Sequence, residues 1–357
     1  MNLVKKIILY IIFLFIIFPI NIAFCDVNFL YTHGSNEEGA DFFNNVSKKL
    51  HKNIEKELNK SEVFRKNVLG NKKINSTPLT YYWGEKTLVS FEKINKDVDV
   101  SNVYAPILSQ FIKKQLAHTM HDTVWISFYP NLLNILEEIN NIAIDNYKNK
   151  DSLILLGYSS GALITYNYLL FKIPYINTQN FFDDSNISNK NTCLTALIKS
   201  DSINLNINWD LKKANNYKDK LKNIDSYTKM YCNPNNINGV INFGVPILFF
   251  QDEFYKGSAY KIMNDLLIKY IVENNMFFLT VNYKDDPFGV KAPKKLEYST
   301  FRTQKVKNGS GFIYEYNNFK SYKTFLKAHN AYWTSRKQFA KNVKKAYEEG
   351  FIYFYNK

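Results

Sequence analysis

The run with the clearest chemical potential is Gly157-Tyr158-Ser159-Ser160-Gly161, which has the form G-x-S-x-G. The apolar residues Leu153 to Leu156 precede it and predict a buried strand, and the periodic apolar residues after it predict a helix. In such a strand, turn and helix, the glycines permit a tight turn that lifts the serine to the end of a sheet. The N-terminus of the helix then faces whatever the serine attacks. The pattern predicts that Ser159 is a nucleophile for acyl transfer; a glycine-rich surface turn is the alternative.

A serine hydroxyl needs a base to take its proton and an acid to orient that base. The chain has five histidines. Three of them, His51, His118 and His121, precede the nucleophile and are interpreted as surface or core residues. His329 is expected in the loop just before the final helix, where the chain order serine, acid, histidine would place the base. We therefore predict His329 as the base.

The acid is expected at the carboxyl end of a later strand, Met276 to Val281. Two aspartates follow that strand. Asp286 is favoured, because Pro287 can turn its side chain toward the site while Phe288 anchors the loop in the core. Asp285 is kept as the alternative, and an ordinary proline-marked turn would explain both residues without catalysis.

The oxyanion that forms during acyl transfer needs two preorganised hydrogen-bond donors. One is expected to be the backbone N–H of Ser160, and the other the backbone N–H of Gly34 or Ser35 after the first strand. Gly34 has no side chain, so a substrate can approach that loop closely. His33 is predicted to shape the loop rather than to act as a second base.

Strands and helices alternate along the chain, which predicts an α/β fold with a mostly parallel central sheet flanked by helices. The predicted strands are Val27–Thr32, Pro78–Trp83, the run before Ser159, Val240–Val245 and Met276–Val281. The predicted helices are Gly39–Leu58, Val103–Ala117, Asn131–Tyr147, the helix after Ser159 to about Phe171, Ala259–Val272 and about Tyr332–Glu349. A β-hairpin is predicted over Thr300–Tyr316.

A polar, asparagine-rich insertion is predicted over about residues 173–239, after the helix that follows the nucleophile. It is interpreted either as a lid beside the site or as a surface excursion. Cys193 and Cys232 both lie in it and form either a disulfide or two free thiols. No C-x-x-C pair or His/Cys cluster with ligand spacing occurs, so no metal site is expected.

The first 25 residues have the pattern of a secretory signal peptide. Lys5 and Lys6 precede an apolar run from Ile7 to Ile20, and Ala23-Phe24-Cys25 ends the segment. Cleavage would leave a single domain of residues 26–357 in a secreted or periplasmic protein. Lipid attachment at Cys25 and an uncleaved membrane anchor are the two alternatives.

The chain has 357 residues and a formal net charge of +14, which becomes +12 when Lys5 and Lys6 are removed with the leader. Attraction to an anionic membrane surface is one interpretation of this charge, and a compositional bias toward lysine is another. No basic stripe with interleaved aromatic residues occurs, so no nucleic-acid partner is expected.

Taken together, these motifs resemble the α/β-hydrolase family in its lipase and esterase branch. The resemblance rests on His33-Gly34, the G-x-S-x-G run, Asp286-Pro287-Phe288-Gly289, and His329 with Tyr332-Trp333. It implies hydrolysis of an ester or lipid substrate by a Ser159-His329-Asp286 triad through an acyl-enzyme, without a cofactor. This chain departs from larger members of the family in lacking the leading strands before Val27. A peptidase, a thioesterase and a non-catalytic binding protein on the same scaffold remain as alternatives.

Overall fold

A computed structural model describes residues 26–34, 39–87, 125–126, 129–172, 236–245, 267, 270–271, 274–286, 289, 311–318 and 325–355. The strands in these ranges are β1 (Val27–Thr32), β2 (Leu79–Tyr81), β3 (Ser152–Tyr158), β4 (Ile237–Phe243), β5 (Phe277–Tyr283) and β6 (Phe312–Asn318). The helices are α1 (Gly39–Leu58), α2 (Glu62–Val68), α3 (Tyr129–Lys148), α4 (Ser160–Lys172), α5 (Phe325–Thr334) and α6 (Arg336–Tyr355), with a 3-10 turn at Gly84–Lys86.

The six strands form one sheet in the order β2-β1-β3-β4-β5-β6, and every neighbouring pair is parallel. This confirms the predicted α/β class with a parallel central sheet flanked by helices. Because parallel strands end at the same edge, the segments that follow β1, β3, β4 and β5 gather there. In open α/β sheets this is the edge at which ligands bind.

Both faces of the sheet are covered, so β3 and β5 are buried at every position. Leu153 and Leu155 of β3 pack into one core with α3 and α4. Ile154 and Leu156 point the other way and pack into a second core with α1 and α6. This alternation follows from the two-residue period of a strand. It explains why β3 appears in the sequence as a continuous apolar run.

Most predicted elements lie within one to three residues of their observed bounds, and β1 and α1 have the predicted bounds. The prediction that the fourth strand begins at Val240 is wrong, because β4 begins at Ile237. The last residues assigned to the insertion, Ile237 to Gly239, therefore belong to the sheet. Asn238 and Gly239 interrupt the apolar pattern at this point, so the sequence did not indicate that the strand begins at the buried Ile237.

The C-terminal part differs from the prediction in two places. Phe312–Asn318 pairs in parallel with β5 as an edge strand, and the first arm of the predicted hairpin lies outside the described residues. The sequence predicted a single final helix over about Tyr332–Glu349, but the structure has two helices, α5 and α6, separated at Ser335. The Ser335 carbonyl accepts hydrogen bonds from the N–H groups of Gln338 (2.9 Å) and Phe339 (3.0 Å), which starts α6 as a new helix.

Several predictions fall outside the described part of the chain. They are the signal peptide with Cys25, the helix over 103–117, residues 173–235 of the insertion, and the cysteines at 193 and 232. Of the helix predicted over 259–272, the structure describes three residues, Leu267, Tyr270 and Ile271, which are helical and buried.

Candidate active site

Ser159 occupies a sharp turn between β3 and α4. Its φ angle is +51°, a left-handed conformation that costs a serine backbone energy and that persists only where the surroundings enforce it. A Cβ atom on Gly161 would meet the backbone oxygen of Thr32 and lie 2.5 Å from that of His33. A Cβ atom on Gly157 would lie 2.6 Å from Ala162 Cα. Both glycines are therefore required by the close packing of this turn.

Ser159, His329 and Asp286 form a hydrogen-bonded chain. The Ser159 hydroxyl lies 3.2 Å from Nε2 of His329. Nδ1 of His329 lies 3.0 Å from Oδ1 and 3.1 Å from Oδ2 of Asp286. Because a carboxylate only accepts, Nδ1 carries the proton and Nε2 is left to accept the hydroxyl proton of Ser159. This is the tautomer that a general base needs.

The structure brings Asp286, rather than Asp285, to the histidine. The Asp286 side chain is fully buried, whereas Asp285 is half-buried. The N–H of Asp286 donates to the carbonyl of Tyr283 at 3.1 Å, which closes a turn directly after β5. Pro287 and Phe288, which were expected to shape this turn, lie outside the described residues.

His329 does not lie in a loop, as the sequence analysis expected. It is the fifth residue of α5. Ala328 and Ala331 flank it and are both fully buried, so small residues let this helix approach the core closely. Since the helix fixes the backbone of His329, the position of the imidazole depends on how α5 is docked.

Tyr158 and Gly244 hold the ring of His329. The Tyr158 ring stacks on the imidazole with centroids 5.0 Å apart and planes at 28°, and its hydroxyl donates to the His329 carbonyl at 3.0 Å. Gly244 has a φ of +60°, and a Cβ atom there would lie 3.1 Å from Cε1 of His329. Burial raises the pKa of Tyr158, and the charge of Asp286 adds to this. Neither residue was singled out for this role from the sequence, although Tyr158 lies inside the G-x-S-x-G run.

The segment after β1 lies beside Ser159. A Cβ atom on Gly34 would lie 2.7 Å from Cβ of Ser159 and 3.0 Å from the carbonyl oxygen of Tyr158. Ser160 is the first residue of α4, so its N–H belongs to the positive end of the helix. Ser35 lies outside the described residues. Gly34 and Ser160 thus flank Ser159 from two different elements.

His33 is buried beneath this segment and is engaged at both ring nitrogens. Nε2 accepts hydrogen bonds from the N–H groups of Trp83 (3.0 Å) and Gly84 (3.1 Å). Nδ1 donates to the carbonyl of Gly34. The indole N–H of Trp83 donates in return to the His33 carbonyl at 2.9 Å. His33 therefore ties the Gly34 segment to the turn after β2 as a neutral imidazole.

The stability of the fold is expected to decrease as the pH falls below 6.5, because burial lowers the pKa of His33 from 6.5 to about 3. In this range the unfolded chain binds a proton that the folded chain excludes. The contribution of His33 to the free energy of unfolding is therefore fully present above pH 6.5. Below that pH it decreases by about 1.4 kcal/mol per pH unit, down to about pH 3. Burial lowers the pKa of His51 as well, which acts in the same direction.

Urea unfolding at pH 7, 6 and 5 measures this effect. In His33→Gln, the side-chain oxygen can replace Nε2 as an acceptor but does not titrate there. Below pH 6.5, the free energy of unfolding of this variant is expected to depend less on pH than that of the wild type. The two slopes should differ by about 1.4 kcal/mol per pH unit. Equal slopes for the two proteins would contradict a neutral, buried His33.

His51, the other described histidine away from the triad, is a core residue. Its Nδ1 lies 3.2 Å from the hydroxyl of Tyr31, and its Nε2 lies 2.9 Å from the carbonyl of Ser76. His118 and His121 lie outside the described residues. Within the part of the chain that the structure describes, no group of three or more His, Cys, Asp or Glu side chains is placed to hold a metal ion.

Comparisons of the chain with protein-family models, with curated proteins and with solved structures found no match. Among the described helices, none is both long enough and apolar enough to cross a membrane.

Proposed function

We propose that this chain is an exported serine hydrolase that cleaves carboxylic esters through an acyl-enzyme. One observation carries the proposal: Ser159, in a strained turn at the end of a central strand, is hydrogen-bonded to His329, whose other nitrogen is bonded to the buried Asp286. A serine, a histidine and a carboxylate in this relation are the parts that nucleophilic acyl transfer needs.

In the proposed reaction, the Ser159 oxygen attacks the ester carbonyl while Nε2 of His329 takes its proton. The imidazolium is stabilised by Asp286. The negative charge on the carbonyl oxygen is stabilised by the N–H of Ser160 and by an N–H of the segment at Gly34 and Ser35. His329 then returns the proton to the leaving alkoxide, and the acyl group stays on Ser159. Water, deprotonated by His329, releases the acid and restores the serine.

The parallel sheet supports the proposed α/β-hydrolase fold, because the nucleophile turn follows a central strand and the acid follows a strand two positions away. The chain order serine, aspartate, histidine supports it as well. The leader pattern of the first 25 residues supports export.

Ester hydrolysis and active-site labelling test the proposal together. The purified protein is expected to hydrolyse p-nitrophenyl esters and to react with a fluorophosphonate probe. Ser159→Ala is expected to abolish labelling and to lower kcat by about 10⁴-fold or more. Ser152→Ala, at the opposite end of β3, is the matched control and should retain both. The chain-length profile of the esters would separate an esterase from a lipase.

The other outcomes identify the competing functions. Labelling at Ser159 without ester hydrolysis would favour a peptidase or a thioesterase. A folded protein that the probe does not label would contradict an enzyme altogether and would favour a binding protein on this scaffold.

A further inference from the structure

We propose that Tyr332 is a positioning residue that holds the Asp286 carboxylate in place and sets the proton affinity of the Asp286–His329 pair. The inference rests on the proposed function, since it assigns a role within the same site. The hydroxyl of Tyr332 lies 2.7 Å from Oδ2 of Asp286, which is shorter than the contacts that join Ser159, His329 and Asp286.

The burial of Asp286 makes hydrogen-bond donors to its carboxylate necessary. Asp286 is fully buried, and a buried carboxylate is strongly destabilised unless donors replace the water that it has lost. Nδ1 of His329 supplies one donor and the Tyr332 hydroxyl supplies another. Hydrogen bonds to a charged group are stronger than those between neutral groups. The phenol therefore supplies part of the hydrogen bonding that the buried carboxylate requires.

The Tyr332 oxygen takes part in two hydrogen bonds, which fix the direction of the phenol proton. The backbone N–H of Tyr283, the last residue of β5, donates to the Tyr332 oxygen at 3.1 Å. That oxygen therefore accepts from the strand end and donates to the carboxylate. Because β5 leads directly into the turn that carries Asp286, the phenol links the acid to the strand that precedes it.

Tyr332 belongs to the same helix as His329, α5. It lies three residues after His329, so the two side chains are neighbours on one helix. The base and a donor to the acid are thus carried by one rigid element. Had Asp286 been held by a flexible segment instead, small motions would misalign it with the imidazole. The Tyr332 ring is itself packed against Tyr283, with centroids 4.8 Å apart.

The other titratable groups around the pair are mostly tyrosines in the described part of the chain. Tyr158 faces His329 from β3, and Tyr283 faces Tyr332 from β5. Lys284 and Asp285 precede Asp286 in its turn, where Lys284 is exposed. Burial raises the pKa values of Tyr158 and Tyr332, and the charge of Asp286 adds to both. Both phenols therefore stay protonated at neutral pH.

Loss of the Tyr332 hydroxyl should change the apparent pKa of His329 in a predictable direction. A donor to a carboxylate stabilises its charged form and lowers its proton affinity. Without that donor, the carboxylate attracts the imidazolium more strongly, and the coupled pair binds its proton more tightly. The apparent pKa seen at His329 should then rise. The rate should also fall, because the acid is no longer held in one orientation.

Tyr332→Phe tests the inference, with Tyr81→Phe as the matched control. The hydroxyl of Tyr81 also donates to a carboxylate at 2.7 Å, that of Glu138, but the pair lies away from the triad. In Tyr332→Phe, kcat is expected to fall about tenfold. The apparent pKa of the acid limb in the pH profile of kcat/KM is expected to rise by roughly half to one unit. In Tyr81→Phe both quantities should match the wild type.

NMR titration of the His329 ring separates this inference from the proposed function, because it needs no activity. The signal is assigned by its loss in His329→Ala. A rise in the His329 pKa in Tyr332→Phe supports the inference even if no ester is cleaved, and an unchanged pKa overturns it. If the wild type hydrolyses esters but the pKa and the pH profile of the variant are unchanged, only the inference fails.

A second substitution covers the case in which Tyr332→Phe does not fold. Site-specific 3-fluorotyrosine at position 332 keeps the hydroxyl and makes it a stronger donor. It is expected to lower the His329 pKa, the opposite of the effect of phenylalanine. A residue that only filled space would give no shift of opposite sign, so an unchanged pKa here also overturns the inference.

Discussion

Replacing Asp286 with asparagine is expected to lower kcat/KM for ester hydrolysis by about 10⁴-fold. The carboxylate only accepts hydrogen bonds, so it keeps the proton of His329 on Nδ1 and leaves Nε2 free to accept from Ser159. An amide presents an N–H group to the imidazole as well. It can therefore stabilise the opposite tautomer, in which Nε2 carries the proton and cannot act as a base.

Asp285→Asn is the matched control, because it makes the same chemical change one residue earlier. Asp285 is half-buried, and Nδ1 of His329 lies against both carboxylate oxygens of Asp286, so the Asp285 variant should hydrolyse esters within a few-fold of the wild-type rate. Steady-state kinetics on the three proteins decides between the two aspartates. Comparable losses in both variants, or a larger loss at Asp285, would contradict the assignment of Asp286.

Replacing Gly161 with alanine is expected to destabilise the protein by about 3 kcal/mol or more, or to prevent folding. The added Cβ would meet the backbone oxygens of Thr32 and His33. Backbone atoms of a central strand cannot move aside as a flexible side chain can. Relief of the clash would push α4 away from β1 and displace the turn that carries Ser159.

Gly70→Ala is the matched control for this substitution. Gly70 has a φ of +56° and nothing within 4 Å of the position of an added Cβ, so it tests the conformational cost without a clash. That cost is about 1 kcal/mol. In urea unfolding, the free energy of unfolding of Gly161→Ala should be well below that of Gly70→Ala. Equal stabilities would show that the packing between α4 and β1 yields easily.

Local patterns predicted the elements and the turn around Ser159 well, because both depend on near neighbours in the chain. The strand before Ser159 is visible as an apolar run, and the turn is visible through two glycines that its close packing requires. The amphipathic spacing of α1 predicted both of its ends. The start of β4 was missed, since Asn238 and Gly239 interrupt its apolar pattern.

The position of His329 shows where local patterns fail. Its place in the chain order marked it as the base, but the same region was expected to be a loop. The region is a helix whose Ala328 and Ala331 are fully buried, and the contacts that bury them come from elements distant in the chain. Because a loop was expected there, the three-residue spacing between His329 and Tyr332 did not indicate that their side chains are neighbours. On a helix the same spacing places them side by side.

By itself, the sequence determined the α/β class, the turn that carries Ser159 and the set of residues from which a triad can be built. These depend on propensity and spacing over a few residues. Only the tertiary structure decided that Asp286 rather than Asp285 meets the histidine, and that Tyr332 and Tyr158 hold the pair. The partners of His329 lie 43 and 170 residues away in the chain. Their distances are set by how β3, β5 and α5 pack together, and no local pattern encodes a distance between separate elements.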